Sequence, residues 1–119
     1  MDFDLVIIGS GPGGYVAAIR GAQLGLKVAI VEKEALGGVC LNWGCIPTKS
    51  FFRSAEVLKI IKGSEKYGIK SKLGDVDIRE VVKRSRSIAK KLSSGVEYLL
   101  KKNKVVVFYG EASFKTSKS

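Results

Sequence analysis

Both cysteines of the 119-residue chain lie in one run, Gly37-Gly38-Val39-Cys40-Leu41-Asn42-Trp43-Gly44-Cys45-Ile46-Pro47-Thr48-Lys49. Two thiols this close form a disulfide only if the backbone brings their Cα atoms within about 7 Å. A straight helix sets residues i and i+5 near opposite faces, so a helix here must begin late or be distorted. Gly44 loosens the backbone beside the second thiol, and Pro47 suits a first helical turn. A small structural disulfide, two buried free thiols and a redox-active pair all fit these residues. Zinc needs four ligands, and two cysteines without any histidine supply half of them, so no metal site is expected. The chain opens Met1-Asp2-Phe3-Asp4, acidic where a secretory signal would be basic, and no apolar run approaches a membrane span. A soluble, cytoplasmic protein without a membrane partner is therefore expected. Structural disulfides are uncommon there, which favours redox chemistry.

A second constellation precedes the cysteines. Phe3 to Ile8 is a short apolar run with the composition of a buried parallel strand. It ends at Gly9-Ser10-Gly11-Pro12-Gly13-Gly14, which fits G-x-G-x-x-G with glycines at 9, 11 and 14. Tyr15 to Leu24 reads as a helix with a small-residue face, and Lys27 to Glu32 as a second strand that ends on an acid. In such a βαβ unit Gly9 permits the tight turn, Gly11 lets the backbone approach a pyrophosphate, and Gly14 allows close helix–strand packing. The helix N-terminus offers N–H groups and a positive dipole to phosphates. Glu32 can accept hydrogen bonds from a ribose diol.

The elements that must position these motifs follow from periodicity. Phe51, Phe52, Ala55, Leu58 and Ile61 recur at helical spacing up to Gly63, and Ser64 to Gly74 reads as a loop. Asp77 and Glu80 resemble a capping box for a long helix running to Lys102, with a bend or break expected at Gly95. Val105 to Tyr109 is a third strand. Right-handed crossovers suggest a parallel sheet in the order 28–32, 4–8, 105–109, with Val105 and Val107 left facing water. The net charge of +10 would suit nucleic acid. Residues 1–50 nevertheless balance four basic against four acidic side chains, and the excess is spread along helical patterns without interleaved aromatics. Solvated helix faces are the better reading, and no nucleic-acid partner is expected.

Taken together, GSGPGG, the glutamate ending the second strand and GGVCLNWGCIPTK resemble the flavoprotein disulfide oxidoreductases that couple FAD to pyridine nucleotides. Leu-Asn after Cys40 and Ile-Pro-Thr-Lys after Cys45 look more like the lipoamide-oxidising branch than the glutathione or mercuric reductases. The stretch Val105 to Phe114, with Gly110-Glu111-Ala112, resembles the segment that reaches the adenine of FAD. The resemblance implies an α/β, Rossmann-like FAD/NAD(P)-binding fold with an incomplete three-stranded parallel sheet. Residues 1–119 would form the N-terminal part of the FAD domain, with the NAD and dimerisation domains absent. It implies Cys40 as the interchange thiol, Cys45 as the thiol against the flavin, and Lys49 beside the reactive flavin nitrogen. The implied FAD contacts are Gly9, Gly11, Pro12, Gly13, Gly14, Glu32, Lys33, Gly38, Val39, Cys40, Lys49, Gly110 and Ala112. NAD would be a substrate of the intact enzyme and a homodimer its assembly. Lipoamide would arrive on an acyltransferase component of 2-oxo acid dehydrogenase complexes. Another reductase of the same family, or a flavin-binding redox module without catalysis, are the rival readings. The fragment alone is expected to be inactive.

Overall fold

The apolar runs become three parallel strands, β1 (Leu5–Ile8), β2 (Val28–Glu32) and β3 (Val106–Tyr109). The computed structural model describes residues 2–116; the ends of the expected 1–119 range lie outside the described residues. Helices are α1 (Pro12–Gln23), α2 (Gly38–Asn42), α3 (Cys45–Lys62) and α4 (Ile78–Lys102). A 3₁₀ turn, Ser64–Tyr67, occupies part of the expected loop.

The expected strand order is corrected. The sheet runs β1-β2-β3, with β2 in the centre, and β3 pairs with β2 through Ala29↔Val106 to Glu32↔Tyr109. Crossover handedness fixes which face a connection covers for a given direction of travel, but not the direction itself. Both crossovers here step the same way, so α1 and α4 lie on one face and touch each other. A central β1 would have sent them to opposite faces. Hydrophobicity could not decide the matter, because Leu5–Ile8 and Val28–Val31 are equally continuous apolar runs.

Alternation along the strands then splits the sheet into two unlike faces. Leu5, Ile7, Val28, Ile30 and Val107 pack into the core with Ala18 of α1 and Val96 and Leu100 of α4. On the other face the edge strands open outward (Val6 is 54% exposed, Ile8 51% and Phe108 45%), while Ala29 of the central strand stays buried. Val105 is buried and Val107 packs on the core, so the strand presents Phe108, not these two valines, to the open side. Phe3 edges onto the Phe108 ring, with centroids 5.9 Å apart.

The expected bend or break at Gly95 does not interrupt the helix; α4 continues through it for 25 residues. Asp77 caps α4 by accepting from the Arg79 N–H at 2.9 Å, whereas Glu80 pairs forward with Lys83. Only half of the capping box forms. The paired helices α3 and α4 draw the molecule out to 65 × 27 × 21 Å.

Candidate nucleotide and disulfide site

At the carboxyl end of β1 the chain turns at Gly9, whose N–H donates to Val31 C=O at 2.8 Å. It enters α1 with Pro12 in the first turn and Gly11 as N-cap, without any side-chain cap. The first-turn N–H groups of Gly13 and Gly14 therefore lack intrahelical partners and carry the positive end of the helix dipole. Gly14 is forced by contact: a Cβ there would sit 1.9 Å from the Gly9 carbonyl oxygen. The pattern's third glycine thus serves close helix–strand approach, as its spacing predicts.

Glu32 ends β2 and is buried. Its Oε2 accepts from the Ser10 N–H at 2.9 Å and from Ser10 Oγ, and its Oε1 accepts from the Glu34 N–H at 2.9 Å. Burial pushes the carboxyl up. The hydrogen bonds from the Ser10 side chain and from the backbones of Glu34, Ser10 and Lys33 outweigh it and hold the group below its ordinary value. Glu32 is charged at neutral pH and is already part of the fold, which its placement at a strand end did not disclose.

An open cleft of about 240 Å³ lies over these strand ends, lined by Ile8, Gly9, Val31, Glu32, Lys33, Gly110, Glu111 and Ala112. Four residues from separate stretches of sequence (Gly9, Glu32, Gly110, Ala112) and the exposed Lys33 come together here, joined by Ile8, Val31 and Glu111, which sequence reading missed. Gly110 N–H donates to Glu32 C=O at 2.9 Å, carrying β3 to the same rim.

Gly11, Pro12, Gly13 and Gly14 follow along the start of α1, and the cysteine segment is laid directly on this loop. Gly38 has φ +61°, and a Cβ on it would come within 2.9 Å of Gly11 Cα. The first residue of α2 and the fingerprint loop therefore meet backbone to backbone. Two residues on, Cys40 is bonded to Cys45 in a disulfide with Cα atoms 4.6 Å apart. The helix break expected between the cysteines is real: α2 ends at Asn42, Gly44 is the N-cap of α3, and Cys45 is its first residue. Pro47 sits in that first turn. Cys40 is half-buried against the core, whereas Cys45, Val39 and Lys49 are exposed. Lys49 falls one turn after Cys45, on the same side of α3.

The grip on this segment comes from one residue of the cysteine motif, Asn42, and from α4 residues that no motif singled out. Asn42 Nδ2 donates to the carbonyls of Leu36 and Gly38 at 3.0 and 2.9 Å. From α4, Ser93 Oγ donates to Leu36 C=O at 2.7 Å and Arg86 Nη1 to Asn42 C=O at 2.9 Å. Arg84 Nη1 reaches Ser50 Oγ at 2.9 Å. Ser and Arg on a lysine-rich helix carry no pattern that marks them.

The family profile described as pyridine nucleotide-disulphide oxidoreductase matches residues 3–119. A protein of Zymomonas mobilis named dihydrolipoyl dehydrogenase is 59% identical over 108 residues, 91% of this chain and 23% of that protein. Proteins of the same name from Acholeplasma laidlawii and Bacillus subtilis are 49% and 48% identical. These matches cover 98% and 92% of this chain, and 35% and 23% of those proteins. The chain thus spans about a quarter to a third of the length of these relatives. With the fingerprint, the disulfide and nearly every residue covered by the profile, the chain belongs to the pyridine nucleotide-disulphide oxidoreductase family.

Proposed function

We propose that this chain is the N-terminal part of an FAD-binding domain and supplies the dithiol–disulfide centre of a cytoplasmic dihydrolipoyl dehydrogenase. The reading extends to oxidation of dihydrolipoamide by NAD in a homodimeric whole protein. Lipoamide would be presented by an acyltransferase component of a 2-oxo acid dehydrogenase complex. The observation that carries it is the seating of Gly38 on Gly11, which sets the disulfide segment against the nucleotide loop.

The residues fit FAD on their own chemistry. Gly11 and Gly13 leave open space where a Cβ would stand, and uncapped N–H groups begin α1 beside them. Glu32 Oε1, which accepts from the Glu34 N–H, can also accept from a ribose hydroxyl in the cleft, and Lys33, Gly110 and Ala112 border that cleft. FAD, when bound, supplies the acceptor for two electrons.

A substrate thiolate attacks Cys40 Sγ. The new bond joins substrate sulfur to Cys40, and Cys45 leaves as a thiolate. The second substrate thiol then displaces Cys40 and closes the substrate's own disulfide, so the substrate loses two electrons and two protons while both cysteines are reduced. Cys45 suits the leaving role because it opens an 18-residue helix, where the dipole and free N–H groups favour an anion. Lys49 adds positive charge on the same side.

The reading is tested by titrating the flavin-loaded native protein with dithiothreitol. A long-wavelength absorption band that is lost in Cys45→Ser is expected, and its absence in the parent overturns the assignment. Alkylation sharpens the thiol roles. With flavin bound, Cys40 should label faster than Cys45; with flavin removed, the exposed Cys45 should label faster.

A further inference from the structure

Ser10 occupies the second position of the fingerprint, where the pattern accepts any residue, yet its side chain is fully buried. Its hydroxyl has one proton to give and two lone pairs. The Gly37 N–H donates to Ser10 Oγ at 3.2 Å, and to the Ser10 carbonyl at 3.1 Å. With a lone pair engaged from that side, the proton points to Glu32 Oε2; the alternative acceptor, Ala35 C=O, is longer at 3.5 Å and uncharged. The Ser10 N–H meets the same oxygen at 2.9 Å. Oε2 thereby has two donors from one residue, while Oε1 accepts from the Glu34 N–H, with the Lys33 backbone also beside the carboxylate.

We propose that Ser10 is a positioning residue for nucleotide binding: it engages one oxygen of Glu32 and so turns the other toward the ribose. The proposal rests on the FAD reading above, and it assigns Ser10 no contact with the nucleotide itself. Without the hydroxyl, the carboxylate keeps the Ser10 and Glu34 N–H donors but loses the bond that fixes its plane.

The test uses the native protein carrying this chain, stripped of flavin. FAD and its 2′-deoxyadenosine analogue are titrated into the parent, Ser10→Ala and Ser10→Thr, and the two dissociation constants are compared within each protein. The parent should favour FAD about tenfold, the scale of one hydrogen bond to a charged acceptor. Ser10→Ala should shrink that preference to about twofold, and Ser10→Thr, which keeps the hydroxyl, should restore most of it. A ratio unchanged in Ser10→Ala overturns the proposal, since a role in folding alone weakens both ligands equally. Ser10→Thr behaving as Ser10→Ala also overturns it. A parent that binds the two ligands equally sinks the ribose contact itself and so removes the ground on which Ser10 was assigned. Because each ratio is taken within one protein, partial loss of fold does not imitate the expected result.

Discussion

The two ends of the site are held in different ways. At the nucleotide end, the loop after β1, the start of α1 and Glu32 fix one another across at most 22 residues, mainly through backbone groups and one serine. At the disulfide end, the chain before α2 and the end of α2 are clamped by Ser93 and Arg86 from a helix 57 and 44 residues away. Local backbone geometry tolerates very few residue types, so that end is marked in the sequence. A clamp of side chains onto carbonyls tolerates many, so at the other end the cysteine segment is marked but the helix that clamps it is not.

The sharpest break should come at the nucleotide end. Gly14→Ala would place Cβ 1.9 Å from Gly9 C=O, and neither the strand end nor the helix start can yield without the other. Destabilisation of at least about 3 kcal/mol is expected, of the order of severe overpacking. Gly13→Ala, in open space, should change stability by less than about 1 kcal/mol. Urea midpoints of the two variants decide it: equal values would mean the loop is held loosely after all.

Glu32→Gln comes next. Ser10 presents two donors and Glu34 one, and an amide can offer an oxygen to only one side, so a donor must face a donor. A loss of about 1–3 kcal/mol is expected. Its pH dependence has a definite sign. The folded carboxyl lies below its ordinary value of 4.5, so its stabilisation is complete above 4.5 and fades as pH falls through the folded value. Urea unfolding of parent and variant should therefore differ most near neutral pH and converge as the pH falls below the folded value. A gap that widens toward acid would contradict the observed hydrogen bonds.

These expectations also show what could be read from residues alone. The three strands, the kink between the cysteines and the glycine contacts follow from composition and steric limits. Strand order does not, because β1 and β2 are equally apolar and the handedness rule admits both directions of travel. Glu32 was legible as an acid at a strand end, but its bonds to Ser10 and Glu34 depend on the loop folding back. The clamp from α4 was not legible at all, since Arg86 and Ser93 sit among other polar residues on a solvated helix.

Removing that clamp should separate the two ends. Arg86→Ala with Ser93→Ala deletes two hydrogen bonds, although Leu36 C=O keeps Asn42 Nδ2 and Asn42 C=O can turn to water. A cost of about 1–2 kcal/mol is expected, together with faster reduction of the Cys40–Cys45 bond by a phosphine. FAD affinity should change by less than about threefold, under 1 kcal/mol. If affinity falls with disulfide protection, the ends are not held independently.

The smallest effect concerns the clamp's own straightness. Glycine in a helix interior costs up to about 1 kcal/mol relative to alanine, through backbone entropy of the unfolded chain. Gly95 lies two residues beyond Ser93, inside the uninterrupted α4, and nothing stands within 4 Å of where its Cβ would be. It is exposed and has no positive φ. If α4 runs straight through, Gly95→Ala removes an entropic cost without any steric one. The variant should then be more stable by about 0.5–1 kcal/mol, with unchanged reduction of the disulfide. If the helix needs a bend there to carry Ser93 to Leu36, alanine resists the bend, and the variant loses stability and exposes the disulfide to faster reduction. The sign of one small shift in the urea midpoint therefore distinguishes a rigid strut from a jointed one.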